Sequence, residues 1–354
     1  MAPFMSCGAR LPVYALFAAA FFPSNGQNVI FGLYLIGIAA AVVTGIAMKG
    51  TLLRGESTPF VMELPPYRLP TLKGVALHTW ERTKGFVVGA GRLIVPMVLV
   101  LNLLGGIGSD LSFGNKDTDR SLLAEVGRTL APAFAPLGLD SDNWPAIVGI
   151  VTGVLAKEAV VGTLDATYSA LAEADSGGGG ETQVPAAPYS LSGGLAAALA
   201  SVPANLAKAV GAWSDPLGLA DPTGSAEVQA VGHATFGAMA ARFDGTVGAF
   251  AYLLFILLYA PCVAATSAVY RETGPRWTVF TLVWTTGLGY LVATLFYQTA
   301  TFARDPVTAS AWIGTMLGLF AAALLGLRLA AARAAATPDL SPGPVLARGQ
   351  GGPQ

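Results

Sequence analysis

The chain has 354 residues, of which 53% are hydrophobic types and only 12% are charged, with 20 Lys and Arg against 21 Asp and Glu and a net charge of −1. Soluble domains carry about 25% charged residues. An ordinary soluble enzyme, a disordered chain and a coiled coil are therefore excluded, and the near-neutral balance offers no polycationic surface for nucleic acid. What remains is a polytopic α-helical membrane protein.

A membrane span needs about 20 apolar residues. Leu11 to Met48 runs without a charge and is interrupted at Pro23-Ser24-Asn25-Gly26-Gln27, which reads as a short helix, a turn and a full span at 28–48. Residues 49–85 are polar and carry six basic side chains: Lys49, Arg54, Arg68, Lys73, Arg82 and Lys84. Within them the run LPPYRLP, residues 64–70, cannot be helix interior because its prolines lack donors. Residues 72–85 suit an amphipathic surface helix that leads into a span at 86–108. Residues 109–145 hold six Asp and Glu against three Lys and Arg. The apolar run resumes at Trp144, passes Lys157 and Glu158 and ends near Leu171. Residues 172–190, with four consecutive glycines from Gly177 to Gly180, read as a flexible linker. Weakly amphipathic, Ala-rich segments follow at 191–213 and 225–242. Hydrophobic runs at 246–270, 277–303 and 306–327 close the sequence before a Pro- and Gly-rich tail at 334–354 that reads as disordered.

Basic residues in short loops set orientation. By that rule the 49–85 loop is cytoplasmic and the 109–145 loop is outside. Arg271 and Arg276 flank one short loop, and Arg328 and Arg333 follow the last span; both point to the cytoplasmic side. The parity closes only if 144–171 is re-entrant or if a weak segment in 191–242 crosses. The re-entrant reading is favoured, because a lysine and a glutamate in mid-span cost about 2.5–3.5 kcal/mol each even on the gentler scale.

Two cysteines, Cys7 and Cys262, exclude a disulfide framework and a four-cysteine metal site within the chain. No GxxxxGK[ST] loop occurs, so the chain alone is expected neither to bind nor to hydrolyse a nucleotide. No HExxH, GxSxG or paired-His motif is present, and His78 and His233 sit in polar segments. Three stretches carry chemistry. In PFMSCGARLP, residues 3–12, the Met5 thioether and the Cys7 thiol stand two residues apart among Pro and Gly at the mouth of an apolar helix. A thiol beside broken backbone is a soft ligand for a borderline divalent metal; a small buried hydrophobe is the alternative. In YAPCVAA, residues 259–265, Pro261 breaks an uncharged run beside Cys262. In AKEAVVGT, residues 156–163, Glu158 is an intramembrane carboxylate and so a functional-site candidate. It serves as cation ligand, proton relay, or ion-pair partner of Lys157 or Arg92. Lys157 and Glu158 are consecutive and point about 100° apart on a helix.

These stretches, PFMSCGARLPVY, LPPYRLP followed by TWERTKGF, and AKEAVVGTL, together with YAPCVAA, resemble the ferrous iron transport protein B family (FeoB) of bacteria from residue 3 to about 330. The resemblance implies an all-α polytopic membrane protein, a gate-type permease with broken or re-entrant helices. Its implied parts are a membrane segment between two gates at 1–53, a cytoplasmic loop at 54–85, the second gate at 86–303 with insertions at 109–145 and 172–245, a final transmembrane helix at 304–333 and the tail.

The family's GTPase domain and first gate have no counterpart in this sequence, so GTP and Mg are expected only through an upstream portion. Fe(II) is the implied cargo rather than a resident cofactor. Carried over onto matching positions, Cys7 and Cys262 become gate cysteines and Glu158 the gate glutamate; Met5, beside Cys7, completes the expected metal ligands Cys7, Cys262, Glu158 and Met5. The implied setting is the bacterial inner membrane, with the lipid bilayer, the upstream GTPase and first-gate portion, FeoA-like or FeoC-like accessory proteins and a homo-oligomer as partners. A gate-fold transporter of another divalent metal or a nucleoside, and a non-conducting structural fragment, are the competing readings, because fold does not fix substrate.

Overall fold

The computed structural model describes residues 2–52, 71–108, 112, 118–157, 159–175, 201, 203 and 233–336. Glu158, most of the 54–70 loop, the glycine run and most of 191–232 lie outside the described residues. So does the tail beyond Ala336. The described chain is helical: after a 3-10 turn at Ala2–Phe4 come α1 (Leu11–Phe21), α2 (Gly26–Gly50), α3 (Leu72–Gly106), α4 (Leu122–Phe134), α5 (Trp144–Leu155), α6 (Ala159–Asp175), α7 (His233–Arg242), α8 (Gly245–Leu258), α9 (Val263–Ala300) and α10 (Pro306–Ala336). Among the described residues the only β pairing is one isolated bridge, Gly108 to Ser121. The chain is an all-α membrane protein of the gate type with broken helices.

Two classes of helix build it. Short apolar helices form the interior. Ten positions of α8 are buried, on every side of the helix, as expected of a helix that is apolar all round. Around it lie Tyr14, Leu16 and Phe17 of α1, Ile147 of α5 and Leu164 of α6. Aromatic rings lock this core: Phe17 stacks on Tyr252 at 4.9 Å between centroids and meets Phe243 edge-on at 5.4 Å. Some buried polar groups are paired across elements: the Tyr252 hydroxyl donates to the Ala146 carbonyl at 3.0 Å and Gln298 Nε2 to the Pro136 carbonyl at 2.9 Å. Such pairing is what a bilayer demands, since an unmet polar group finds no water there.

Long helices form the periphery. Along α2, Phe31, Leu35, Ile38, Val42 and Ile46 are exposed, while Ile30, Leu33, Gly37, Thr44 and Met48 are buried. Both sets step by three, four or seven residues, so they are opposite stripes of one helix. The exposed stripe is apolar and fits lipid. Among the described residues, three stretches of helix are long and apolar enough to cross a membrane: Gly26–Gly50, Gly245–Ala300 and Pro306–Ala332.

The sequence expectations need two amendments, at α3 and at the last helix. The surface helix at 72–85 and the span at 86–108 are one continuous helix, α3, because no proline or uncapped polar break separates them; Thr71 caps its start by accepting from Gly74 N at 3.3 Å. Arg92 interrupts its apolar half. The last helix runs three residues past 333, to Ala336, because the Ala-rich end keeps a high helix propensity. The 144–171 run is not one helix. It doubles back between α5 and α6: Gly153 faces Val160 and Gly149 faces Leu164, the register of an antiparallel hairpin.

Candidate metal pathway

Three interruptions of helix meet in the interior. The first is residues 5–10, ahead of α1. Phe4 is 1% exposed and anchors this segment in the core. The chain then wraps around the Arg10 side chain, which donates to the Met5 carbonyl at 3.3 Å and the Pro3 carbonyl at 3.2 Å, while Arg10 N donates to the Cys7 carbonyl at 3.0 Å. Pro12 then starts α1 at a position where its missing N–H is not needed.

The second interruption is the reversal between α5 and α6. Ala156 turns extended (φ −143°, ψ 106°) and ends α5. Lys157 follows, buried at 3% exposure, with its Nζ 4.2 Å from the centre of the Tyr259 ring.

The third is residues 259–262, between α8 and α9. Pro261 cannot donate to a helix ladder, and the residue before a proline is pushed toward extended backbone. The residue so pushed is Ala260; α8 has already ended one residue earlier, at Tyr259 (ψ −178°), and Cys262 (φ −61°, ψ 160°) stands at the N-cap of α9. Thr266 ties the new helix down, its N–H donating to the Cys262 carbonyl at 2.9 Å and its hydroxyl to the Pro261 carbonyl at 3.3 Å. Two glycines make room for the break. A Cβ on Gly289 would fall 2.9 Å from Tyr259 N, and one on Gly153 would fall 2.3 Å from the Tyr259 hydroxyl.

Both thiols face this junction electrostatically: Lys157 and Tyr259 each lie within Coulombic reach of Cys7, Cys262 and Arg10. Cys7 is exposed and Cys262 half-buried. Met5 enters through its backbone carbonyl, with its side chain 71% exposed. Glu158 lies outside the described residues. Among the described residues no group of three or more His, Cys, Asp or Glu is placed to hold a metal ion. The junction is instead rich in donors. Arg10 Nε, Lys157 Nζ and the Tyr259 hydroxyl are buried with no hydrogen-bond partner among the described residues.

Arg10 and Tyr259 lie inside the stretches PFMSCGARLP and YAPCVAA, where only the cysteines and Met5 stand out as soft metal ligands by residue type. The one available signal for Lys157 is that a basic residue occurs beside an acidic one in an apolar run. Two sizeable concavities lie elsewhere. An apolar crevice of about 400 Å³ between α9 and α10 is lined by Trp284, Leu288, Met316 and Phe320, and a polar hollow of about 520 Å³ lies around Asp140–Trp144.

Comparison with known proteins bears on this junction. The family model for the ferrous iron transport protein B C terminus matches residues 30–82, and the Gate model, described as nucleoside recognition, matches residues 87–213. An Fe(2+) transporter FeoB of Legionella pneumophila (strain Lens) is 44% identical over 318 residues, which cover 89% of this chain and 41% of that protein. The Fe(2+) transporter FeoB of Escherichia coli (strain K12) is 38% identical over 332 residues, covering 92% and 41%. That of Shigella flexneri is 39% identical over 311 residues, covering 86% and 38%. The chain thus spans about two fifths of the length of these relatives. No solved structure matches it. The chain is therefore a relative of the ferrous iron transport protein B family, and it carries that family's C-terminal and Gate segments.

Proposed function

We propose that the chain moves Fe(II) across a bacterial inner membrane, in which it is a multi-pass protein, as the permease portion of a GTPase-coupled uptake system. The observation that carries this reading is that the Cys7 and Cys262 segments both break helix beside the buried Arg10, Lys157 and Tyr259. Discontinuous helices at membrane depth are where transporters place ion sites, since half-helix ends and unwound carbonyls face the cavity there. The relatives' name supplies the cargo. Hydrated Fe(II) exchanges water for the thiolates of Cys7 and Cys262, the Met5 thioether, the Glu158 carboxylate and free carbonyls. Conduction requires binding that is weak and shared among successive sites, and a ligand set spread over three segments suits transit better than a closed cage does.

Energy comes from GTP hydrolysis, with its Mg, on an upstream portion that also brings the first gate. FeoA-like and FeoC-like proteins and further copies of the chain are the remaining partners. The 49–85 loop faces the cytoplasm and the 109–145 loop the outside. In a Cys7→Ser, Cys262→Ser background, Ser112→Cys is expected to label from outside intact cells and Thr58→Cys is not; the reverse pattern overturns this orientation.

The test of function is Fe(II) uptake by the transporter reconstituted with its upstream portion. Cys7→Ser and Cys262→Ser each lose most of the uptake, and the double variant is little worse, because two ligands of one path do not act additively. Normal uptake by the folded double variant removes both cysteines from the path.

A further inference from the structure

Asp165 is an ionisable group that the reading above leaves unused. Across α1, α5, α6, α7 and α8 it is the one acidic side chain more than a turn from a helix end. On α6 it is flanked by Leu164 and Tyr168, both fully buried, and is itself half-buried. A carboxylate inside a membrane bundle is costly to hold, and such groups mark ion and substrate routes.

Two hydroxyls meet it. Thr235, on α7 and fully buried, donates from Oγ1 to Asp165 Oδ1 at 2.6 Å. Ser169 lies one turn after Asp165 on the same face of α6, and its Oγ is 2.9 Å from Thr235 Oγ1. A threonine hydroxyl has one proton to give. With that proton on Asp165, Ser169 is the donor of the second bond. Oxygens from two helices thus converge, and each has more lone pairs than these bonds use.

The cluster lies between two features already described. Asp165 is about 9 Å along α6 from its start at the hairpin turn, at 1.5 Å per residue. It is the same distance short of Leu171, which lines the polar hollow with Asp140 and Asp142. Toward the turn, Gly162 is exposed, and a Cβ there would meet nothing within 4 Å. That stretch of α6 therefore leaves open space beside the carboxylate.

We propose that Asp165, Thr235 and Ser169 form an oxygen-donor site for a hydrated divalent cation, a stop between the polar hollow and the cysteine-bearing helix breaks. This rests on the metal-pathway reading and adds a hard site ahead of the soft one. One carboxylate and two hydroxyls suit a hard or borderline cation that keeps most of its water. A site with a single charge binds weakly enough to pass its ion on, as conduction through successive sites requires.

The test uses Mn(II), which favours oxygen ligands, titrated into the purified chain in nanodiscs of zwitterionic lipid. Cys7→Ser and Cys262→Ser are present throughout, so that sulfur takes no part and the result is read separately from the uptake of the cysteine variants. Free Mn(II) is followed by electron paramagnetic resonance. Asp165→Asn removes the charge but keeps an oxygen that accepts from Thr235, so a purely structural lock between α6 and α7 survives it. This variant is expected to weaken Mn(II) binding about ten-fold or more with an unchanged thermal midpoint. Thr235→Val weakens it less. Asp165→Ser, smaller and also neutral, shows the same loss and stands in should the asparagine variant fold poorly. Equal Mn(II) affinity in the cysteine-free parent and the folded neutral variants overturns the site.

Discussion

In their most apolar 18-residue windows, the stretch Gly245–Ala300 and the helix at Pro306–Ala332 have similar mean hydropathy, 2.2 and 1.8, yet 72% of the first window is buried and 6% of the second. Hydropathy reports entry into a bilayer, not what a helix meets once there. Lipid tails are as apolar as leucine, so helices associate through packing and hydrogen bonds rather than hydrophobic transfer. Length separates the two classes better. The interior helices α1, α5, α6 and α8 have 11, 12, 17 and 14 residues, whereas the peripheral α2, α3 and α10 have 25, 35 and 31. At 1.5 Å per residue, 12 residues reach about 18 Å, short of a hydrocarbon core of about 30 Å. Short interior helices must end inside the protein, and their ends are where Cys7, Lys157 and Cys262 sit.

The largest expected effect sets core against periphery. Phe255→Ala, on α8, should cost about 3–5 kcal/mol, measured by reversible unfolding in mixed micelles. Leu319→Ala, on the exposed face of α10, should stay within about 0.5 kcal/mol. Equal losses would erase the distinction between the two classes.

Glycines sharpen the contrast on a smaller scale. Gly289→Ala drives a methyl into the backbone of Tyr259, at 2.9 Å, and should cost about 1–3 kcal/mol. Gly318→Ala, in α10, meets nothing within 4 Å and should be neutral or stabilise the helix slightly. A neutral Gly289→Ala would mean that the 259–262 break is not held in place by α9.

The smallest effect lies at the start of α10. Hydrogen bonds from the Thr308 hydroxyl and N–H hold the Asp305 carboxyl below its ordinary value. The carboxylate therefore supports the first turn above about pH 4, and that support fades as pH falls through the lowered value. The protection factor of the Thr308 amide, corrected for intrinsic exchange at each pH, should fall in acid while those within α8 should not; equal loss of protection at both places would refute the local origin.

How much of this was legible in the sequence differs between the two classes. The short helix, turn and long span over 11–50 follow from one uncharged run with a Pro-Ser-Asn-Gly break, and the interruption at Pro261 follows from its missing donor. The kink at Gly274 (φ 80°), just before Pro275, divides α9 within the short loop expected at 271–276. The hairpin at 156–158 was visible only indirectly, through the cost of a mid-span Lys and Glu; nothing local in Ala156-Lys157-Glu158 spells a reversal. The fused α3 was misread because a change from polar to apolar composition marks a change of solvent, not the end of a helix. The junction itself was the least legible part. Arg10 and Tyr259 stand three residues from Cys7 and Cys262, but the packing that brings Lys157 onto Tyr259 joins segments about 100 residues apart, which no local pattern records.

The central claim is that Cys7 and Cys262, delivered by separate helix breaks, act on one metal path. Iron X-ray absorption of the anaerobically Fe(II)-loaded chain tests it most directly. The account predicts sulfur in the first shell of the parent, less of it in Cys7→Ser and in Cys262→Ser, and none from cysteine in the double variant. A shell of oxygen and nitrogen alone, identical in the parent and the double variant, would contradict it.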